Sequence, residues 1–313
     1  MLKRLQAPGI FDTLTPYLPI MLHTQQEGIV PVDEKIWRRI RLLGGLVFSG
    51  GIGLLAYRRR SLSRSGILGA VLTGTATFGL GGVAWGLSLI YFFVSSSLLS
   101  HFRARDKAHT AADKFSKGSQ RDLAQVAANG GVAALLAAGS ALTSSPAGYT
   151  SLQAGYVGAL ATATADTWAT ELGVLSPVAP RLLTSGKQTA PGTSGAITPL
   201  GTAAAASGAL SLGLVYRLLQ PRSSSLLPLI ALVSGLAGSL FDSLLGATLQ
   251  AIYYCPTCHK ETERRIHNCD TRTIPLRGLP WMNNDVVNFM ATLSGGIVAL
   301  LLHTLLSRRK TQR

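Results

Sequence analysis

The chain has 313 residues, of which 47% are hydrophobic and only 14% are charged, and its mean hydropathy is +0.31. A soluble domain carries about 25% charged residues, so this composition excludes a disordered chain and argues against a soluble enzyme. The length accommodates about eight membrane spans of roughly 20 residues with short loops. The three cysteines exclude a disulfide-stabilised scaffold and fit a reducing compartment or a lipid interior.

The net charge of +15 arises from 29 Lys and Arg against 14 Asp and Glu. A nucleic-acid-binding domain would cluster its basic residues on one soluble face. Here the basic residues lie in short patches between apolar runs, which is how they flank membrane spans. We therefore expect membrane lipid, and no nucleic acid, as a partner.

The apolar runs predict an all-α fold, a polytopic integral membrane bundle of about seven or eight transmembrane helices. Several runs are rich in Gly and Ala, and small residues let helix backbones approach closely in lipid. Because the first run is short, seven helices is the alternative count. The eight expected segments are 42–57, 64–80, 82–100, 123–141, 150–169, 196–216, 226–250 and 286–306.

Three parts are expected along the chain. Residues 1–34 are interrupted by prolines and lack the continuous apolar core of a signal peptide, so they should form a poorly ordered or interfacial arm. Residues 35–307 should form the transmembrane domain, with a polar insert at 251–285. Residues 308–313 form a basic tail.

Basic residues alternate between the loops of this bundle. Loops 58–64, 101–122, 170–195 and 251–285 carry 4, 6, 2 and 5 Lys and Arg, whereas 80–84, 142–149 and 217–225 carry 0, 0 and 2. This alternation predicts that the four basic loops share the cytosolic face. The basic residues near the two chain ends disagree with this prediction, because the same topology puts both ends on the opposite face. The connector within 103–122 is expected either to lie beside anionic headgroups or to attract an anionic substrate.

Acidic residues are rare in the apolar segments, where only Asp166, Glu171, Asp242 and Asp285 occur inside or at an edge. A carboxylate in a bilayer is costly, so it normally faces a polar cavity, a partner or a metal. Asp166 and Glu171 are rotated by about 140° on a helix and can share one site only if the helix ends or unwinds near residue 170. Oxygen ligands on a half-open site suit Mg²⁺ holding a phosphate. The alternative is that these acids only pair helices.

A loop rich in Gly, Ser and Thr runs from 184 to 202 and opens a helix near 197–201. Exposed backbone N–H groups at such a point form an anion cradle that the helix dipole reinforces. Lys187 offers a mobile positive charge for a phosphate, although the spacing is not that of a P-loop. A flexible turn between spans is the alternative. The residues expected to bind are Gly192, Thr193, Ser194, Gly195, Gly201 and Thr202.

Two further polar groups are expected near the same site. Asp242 lies in mid-span, with Ser239, Ser243 and Gly246 at helical spacing on its face. Asn284 and Asn288 share a face at the start of the last helix. Asp285 lies in the first turn of that helix, where it either joins the site or stabilises the helix N-terminus.

The insert contains the motif Cys255-Pro256-Thr257-Cys258-His259, which has the form of a c-type haem attachment site. Attachment requires an oxidising side, and the charge pattern puts this loop on the cytosolic face, so haem is not expected. Zinc held by Cys255, Cys258 and Cys269, with His259 or His267, is chemically reasonable. Because no second CxxC or HxxxH pair follows, free cysteines in a loop are the alternative.

At these residues the chain resembles the transmembrane protein 19 family, or domain of unknown function 92. The resemblance covers roughly 40–310, and the insert 254–270 departs from the short loop that the family leads us to expect. It rests on Asp166-Thr167 to Glu171-Leu172-Gly173, Gly192 to Ala196 with Gly201-Thr202, Phe241-Asp242-Ser243 with Gly246-Ala247, and Asn284-Asp285 with Asn288.

The resemblance implies an integral membrane protein. The plant branch of the family includes phytyl-phosphate kinase, and the pattern is similar to phytol kinases, dolichol kinases and cytidylyltransferases that use CTP. These likenesses imply a nucleoside triphosphate at the loop with Lys187, and Mg²⁺ held by Asp166, Glu171 and Asp242. The implied activity is phosphorylation of an isoprenoid monophosphate to the diphosphate, a chemistry that depends mostly on positioning and charge stabilisation.

Two other functions remain open at the level of sequence. An ion-coupled transporter also uses interrupted helices with intramembrane acids, here at 166–177 and 238–246. A non-catalytic membrane scaffold would use the acids only to pair helices. For a eukaryotic member we expect an endomembrane such as the endoplasmic reticulum.

Overall fold

A computed structural model describes residues 34–111 and 120–311. The chain divides into two compact units, residues 1–37 and 38–313. The arm expected at 1–34 lies almost entirely outside the described residues and stays a prediction. The basic tail is helical as far as Thr311, because the last helix continues into it.

The fold is helical, and each of the eight expected segments falls on a helix, which confirms the all-α class. A π-helical segment, Ala76–Gly81, continues the second helix. The helices are α1 (Glu34–Arg58), α2 (Arg64–Thr75), α3 (Val83–His101), α4 (Ala104–Ala111), α5 (Leu123–Ser140), α6 (Pro146–Gly173), α7 (Pro199–Leu219), α8 (Leu227–Thr248) and α9 (Asn284–Thr311).

Six helices of the described chain are long and apolar enough to cross a membrane, namely α1, α3, α5, α7, α8 and α9. The interior is built of small residues such as Ala133 and Ala161, which are fully buried. Trp85 and Tyr156 are also buried, but many large apolar side chains point outward, with Val47 76% and Leu218 77% exposed. This distribution fits a lipid environment, where close packing of small residues rather than water exclusion holds helices together.

Helix α6 is the centre of the bundle and packs against α3, α5, α7, α8 and α9. Ser145 caps its first turn by accepting a hydrogen bond from the Gly148 backbone N–H (3.2 Å), and Pro146 occupies the first position. Its residues 153–165 are all buried. It can therefore carry threonines and an aspartate, because other helices surround it rather than lipid.

The crossing of α6 and α8 sets the position of two acids. Gly238 on α8 lies directly on Thr162 of α6, and a Cβ at Gly238 would overlap the Thr162 side chain. Both helices run toward the same end of the bundle. One helical turn beyond this close crossing come Asp166 and Asp242, which places the two residues on the facing sides of the helices.

Short strands occur in two of the connections. Strands β1 (Arg181–Leu182) and β2 (Ala196–Ile197) pair antiparallel and close the loop between α6 and α7. The insert between α8 and α9 forms a three-stranded antiparallel sheet in the order β4-β3-β5, from β3 (Ile252–Cys255), β4 (Lys260–Thr262) and β5 (Ile274–Arg277).

The four basic loops contact one another in sequence. The backbone of Arg121 is hydrogen-bonded to Ser61 and Ser63 of the first loop, at 3.0 Å in both cases. Lys107 of the second loop forms an ion pair with Glu171, where the third begins. Ser194 of the third is hydrogen-bonded to Gln250, at the entry to the fourth. The loops that the charge pattern assigns to one face therefore lie at one end of the bundle.

Candidate functional site

Two carboxylates meet where α6 and α8 emerge from their crossing. Ser239 Oγ lies 3.5 Å from Asp166 Oδ1 and donates to it. The charge of Asp166 acts on Asp242, so the two carboxyl groups lie within electrostatic range. Asp242 Oδ2 is buried and has no hydrogen-bond partner among the residues that the structure describes. A buried carboxylate oxygen in this state is a ready ligand for a cation.

A third carboxylate, Glu263, reaches this pair from the insert. Its charge also acts on Asp242, and its Oε1 accepts a hydrogen bond of 2.8 Å from Gln250 Nε2. Gln250 Oε1 in turn accepts a hydrogen bond from Ser194 Oγ. Sequence reasoning missed Gln250 and Glu263, since Gln250 is a single amide after an apolar helix and Glu263 lies in the part that departs from the family pattern.

The Gly-rich loop is attached to the same end of α8. Arg277 donates from Nη1 to the Gly246 carbonyl (2.7 Å) and from Nη2 to the Ser194 carbonyl (3.3 Å). Sequence reasoning did not single out this arginine. Burial lowers the pKa of the Arg277 guanidinium, and the charge of Glu261 opposes this shift. Gly195 has a φ of +81° and lies so close to Ala247 that a Cβ would overlap its backbone.

The rest of this loop lies farther out. Lys187 is exposed and follows Gly186, which has a φ of +67°. Thr193 Oγ1 donates to the Ala190 carbonyl (2.8 Å), and the adjacent Gly192 has a φ of +76°. The loop therefore brings Ser194 to Gln250 and Gly195 to the end of α8, and it leaves Lys187 at its exposed tip.

Glu171 belongs to a different cluster. Helix α6 continues unbroken to Gly173, so the unwinding that would unite Glu171 with Asp166 does not occur. Instead Ser100 Oγ donates to Glu171 Oε1 (2.6 Å), and Lys107 pairs with Oε2. The structure thus places Asp166 toward α8 and Glu171 toward α3 and α4.

The start of α7 is used for capping and packing. Thr198 Oγ1 accepts a hydrogen bond of 3.0 Å from the Gly201 N–H. Gly201 lies against Gly173, with a Cβ at Gly201 falling 3.3 Å from the Gly173 Cα. Thr202 Oγ1 donates back to the Thr198 carbonyl (3.1 Å). Gly201 and Thr202 therefore have structural roles at the junction of α6 and α7.

The start of α9 packs beside the end of α8. Asn283 Oδ1 accepts a hydrogen bond of 3.1 Å from the Val286 N–H, so Asn283 provides the side-chain cap and Asp285 follows in the first turn. Val287 is fully buried against Leu245. This contact brings the first turn of α9, with Asn284, Asp285 and Asn288, to the end of α8.

An apolar pocket that contains the half-buried guanidinium of Arg121 lies between α1, α2, α3 and α5. The Arg121 guanidinium is 5.8 Å from the ring centre of Phe92 and 5.5 Å from that of Phe93. Burial lowers the pKa of Arg121 to about 10, while the charge of Glu171 opposes the shift, so the group is cationic at neutral pH. The lining includes Phe48, Ile52, Phe78, Leu89, Gln125 and Asn129.

The cysteines converge in the insert. The ligand atoms of Cys255, Cys258, His267 and Cys269 all lie within 4.8 Å of one another. His259, the other histidine considered, instead has its Nδ1 2.9 Å from the Tyr254 hydroxyl. The structure therefore groups His267, and not His259, with the three thiols.

The apolar exterior, the small-residue interior and the polar end define a multi-pass helical integral membrane protein. The chain belongs to the integral membrane protein family DUF92, whose family pattern matches residues 47–296. This confirms the resemblance that the motifs indicated.

Several curated proteins are similar to it. Protein PGR of Arabidopsis thaliana is 32% identical over 276 residues, covering 82% of this chain and 93% of the relative. An uncharacterized membrane protein of Methanocaldococcus jannaschii is 30% identical over 264 residues, covering 84% and 95%. Protein VTE6, chloroplastic, of A. thaliana is 28% identical over 282 residues, covering 89% and 75%. No solved structure matches the chain.

Proposed function

We propose that this protein is a nucleotide-dependent kinase that phosphorylates an isoprenoid monophosphate to the diphosphate. The observation that carries the proposal is the convergence of Asp166, Asp242 and Glu263, with the Oδ2 atom of Asp242 buried and unpartnered among the described residues. Hard oxygen ligands of this kind suit Mg²⁺. The charges of Asp166 and Glu263 both act on Asp242, and a divalent cation would relieve the repulsion between these carboxylates.

Carboxylate oxygens are the ligands that Mg²⁺ prefers, and Asp166, Asp242 and Glu263 would hold the ion. Mg²⁺ held there would neutralise the negative charge that develops on the transferred phosphoryl group. Glu171 is not part of this set, because Lys107 and Ser100 engage it. The backbone of Ser194 and Gly195, held against α8 by Arg277, is the part of the loop that would approach the nucleotide phosphates.

The pocket beside Arg121 supports an isoprenoid phosphate as acceptor. Its aromatic and aliphatic walls suit a prenyl chain, and the guanidinium suits a phosphate. Arg121 interacts with Glu171, which follows Asp166 by about 7.5 Å along α6. The polar end of the pocket and the carboxylate cluster therefore lie at the same end of the bundle, on different sides of α6.

The likeness to plant members of the family also supports this acceptor, because that branch includes phytyl-phosphate kinase. The transporter alternative receives less support. The first segment expected to be interrupted, 166–177, is helical as far as Gly173. The second, 238–246, is helical throughout. The proposal includes an endomembrane location, such as the endoplasmic reticulum. Fractionation of cells that express tagged protein tests this location.

The activity test uses purified protein with radiolabelled CTP, GTP and ATP against a panel of prenyl alcohols and monophosphates, with and without Mg²⁺. We expect Mg²⁺-dependent labelling of a prenyl monophosphate, and loss of that labelling in Asp166→Asn. Asp106→Asn is the matched control, since it removes one charge from an exposed ion pair with Arg103. Full activity in Asp166→Asn, or no transfer from any nucleotide by folded wild-type protein, would overturn the proposal.

A further inference from the structure

We propose that the insert between α8 and α9 binds one structural zinc ion through Cys255, Cys258, His267 and Cys269. Their ligand atoms lie within 4.8 Å of one another. Tetrahedral zinc with Zn–S bonds of 2.3 Å requires sulfur atoms about 3.8 Å apart, and Cys255 Sγ lies 3.6 Å from Cys269 Sγ. The His267 Nδ1 lies 3.3 Å from the same Cys269 sulfur.

The first two ligands are presented by a tight turn after β3. The His259 N–H donates to the Cys255 carbonyl (2.9 Å), and His259 has a φ of +55°. The Cys258 N–H lies 3.5 Å from Cys255 Sγ and donates to it. The turn directs both sulfurs to the same side.

A second turn supplies the other two ligands. The His267 N–H donates to the Thr271 carbonyl (3.0 Å), and the Asp270 N–H donates to the His267 carbonyl (2.9 Å). The hydroxyls of Thr257 and Thr271 lie 3.0 Å apart and join the two turns. An HxC turn thus replaces the second CxxC or HxxxH pair that the sequence lacks. The other nitrogen of His267, Nε2, is buried without a hydrogen-bond partner in the described part of the chain.

Such a crosslink would stabilise the outer part of the insert. Ile266 is 62% exposed and Ile274 is 53% exposed, whereas the buried groups include Cys255, Thr262 and His267. A unit this small, with few apolar side chains inside, is usually stabilised by a disulfide or a metal. On binding, zinc would displace the thiol protons to solvent, leaving three thiolates and a neutral imidazole around the ion.

Zinc would also fix the position of Glu263, which lies in the chain between the two turns. Thr273 ties the neighbouring segment down by donating from Oγ1 to the Arg264 carbonyl (2.8 Å). The zinc site itself is independent of the proposed kinase activity. Only this consequence, the placement of Glu263 beside Asp242, is linked to it.

The test is the metal content of full-length protein purified under reducing conditions. We expect about one zinc per chain, and at least about tenfold less in Cys258→Ser and Cys269→Ser. His259→Ala is the matched control and should keep its zinc, whereas His267→Ala should lose most of it. Titration of wild-type protein with a mercurial thiol reagent should release the zinc, a readout that does not depend on the folding of any variant.

Three results would overturn the proposal. The first is folded wild-type protein without zinc after reconstitution with ZnCl₂. The second is equal loss in His259→Ala and His267→Ala. The third is a Cys255–Cys269 disulfide found by mass spectrometry in protein from cells. None of these measurements involves nucleotide turnover, so failure of the zinc site and failure of the kinase proposal are distinguishable.

Discussion

Gln250, just beyond α8, donates a hydrogen bond of 2.8 Å from Nε2 to the Oε1 atom of Glu263 in the insert. Gln250 is only 1% exposed, and its Oε1 accepts from Ser194. One buried amide therefore joins the Gly-rich loop, the end of α8 and the insert. Through this link the insert becomes part of the candidate site rather than a loop beside it.

Glu263→Gln should lower activity and raise the Mg²⁺ concentration needed for half-maximal activity by at least about tenfold. The amide keeps a hydrogen bond to Gln250 but removes one charge from the cation site. Mg²⁺ titrations of activity measure the shift. Asp106→Asn, in the exposed ion pair with Arg103, makes the same change in charge and should titrate like wild type. An unchanged Mg²⁺ requirement in Glu263→Gln would remove Glu263 from the site.

Gly195→Ala should detach the Gly-rich loop from α8. At a φ of +81° an alanine is strained by about 1–2 kcal/mol, and its Cβ would also overlap the Ala247 backbone, which adds about 1–3 kcal/mol. Gly186→Ala is the control, because Gly186 has a φ of +67° but open space around a Cβ. Thermal unfolding in detergent should show the larger loss for Gly195→Ala, and equal losses would contradict the close contact.

Glu171→Gln should lower the free energy of unfolding and should have little effect on Mg²⁺ binding. It breaks the ion pair with Lys107, whose side chain is 11% exposed, and weakens the bond from Ser100. The expected cost is about 1–3 kcal/mol. A double-mutant cycle with Lys107→Met should show that the two changes are coupled. Loss of the Mg²⁺ response at unchanged stability would instead return Glu171 to the metal site.

Arg121→Gln should raise the KM for a prenyl monophosphate by about 10–100-fold, since a hydrogen bond to a charged group contributes about 1.5–3 kcal/mol. The KM for the nucleotide should stay near the wild-type value. Steady-state kinetics with each substrate varied in turn separates the two. Arg59→Gln, an exposed change on the neighbouring loop, serves as the control. A rise confined to the nucleotide KM would assign Arg121 to the other substrate.

The helical segments and the shared end of the basic loops were predictable, because apolar length and charge alternation are local properties of the chain. The acids Asp166 and Asp242 were also predictable as a pair, since an aspartate in an apolar helix requires a polar neighbour. Which other acidic residues lie beside this pair was not predictable. Glu171 is close to Asp166 in sequence but is turned to another side of an unbroken α6, and Glu263 comes from a folded insert that no apolar pattern indicates.

By itself the sequence determined the class of the protein: lipid exposure selects apolar helices, and positive charge selects the face on which loops remain. Tertiary structure decided which side chains meet. The contact of Gly238 with Thr162 sets the phase between α6 and α8, and the sheet of the insert brings Glu263 and His267 to their partners. Such convergence depends on helix rotation and on contacts between distant segments, which composition and spacing do not encode locally.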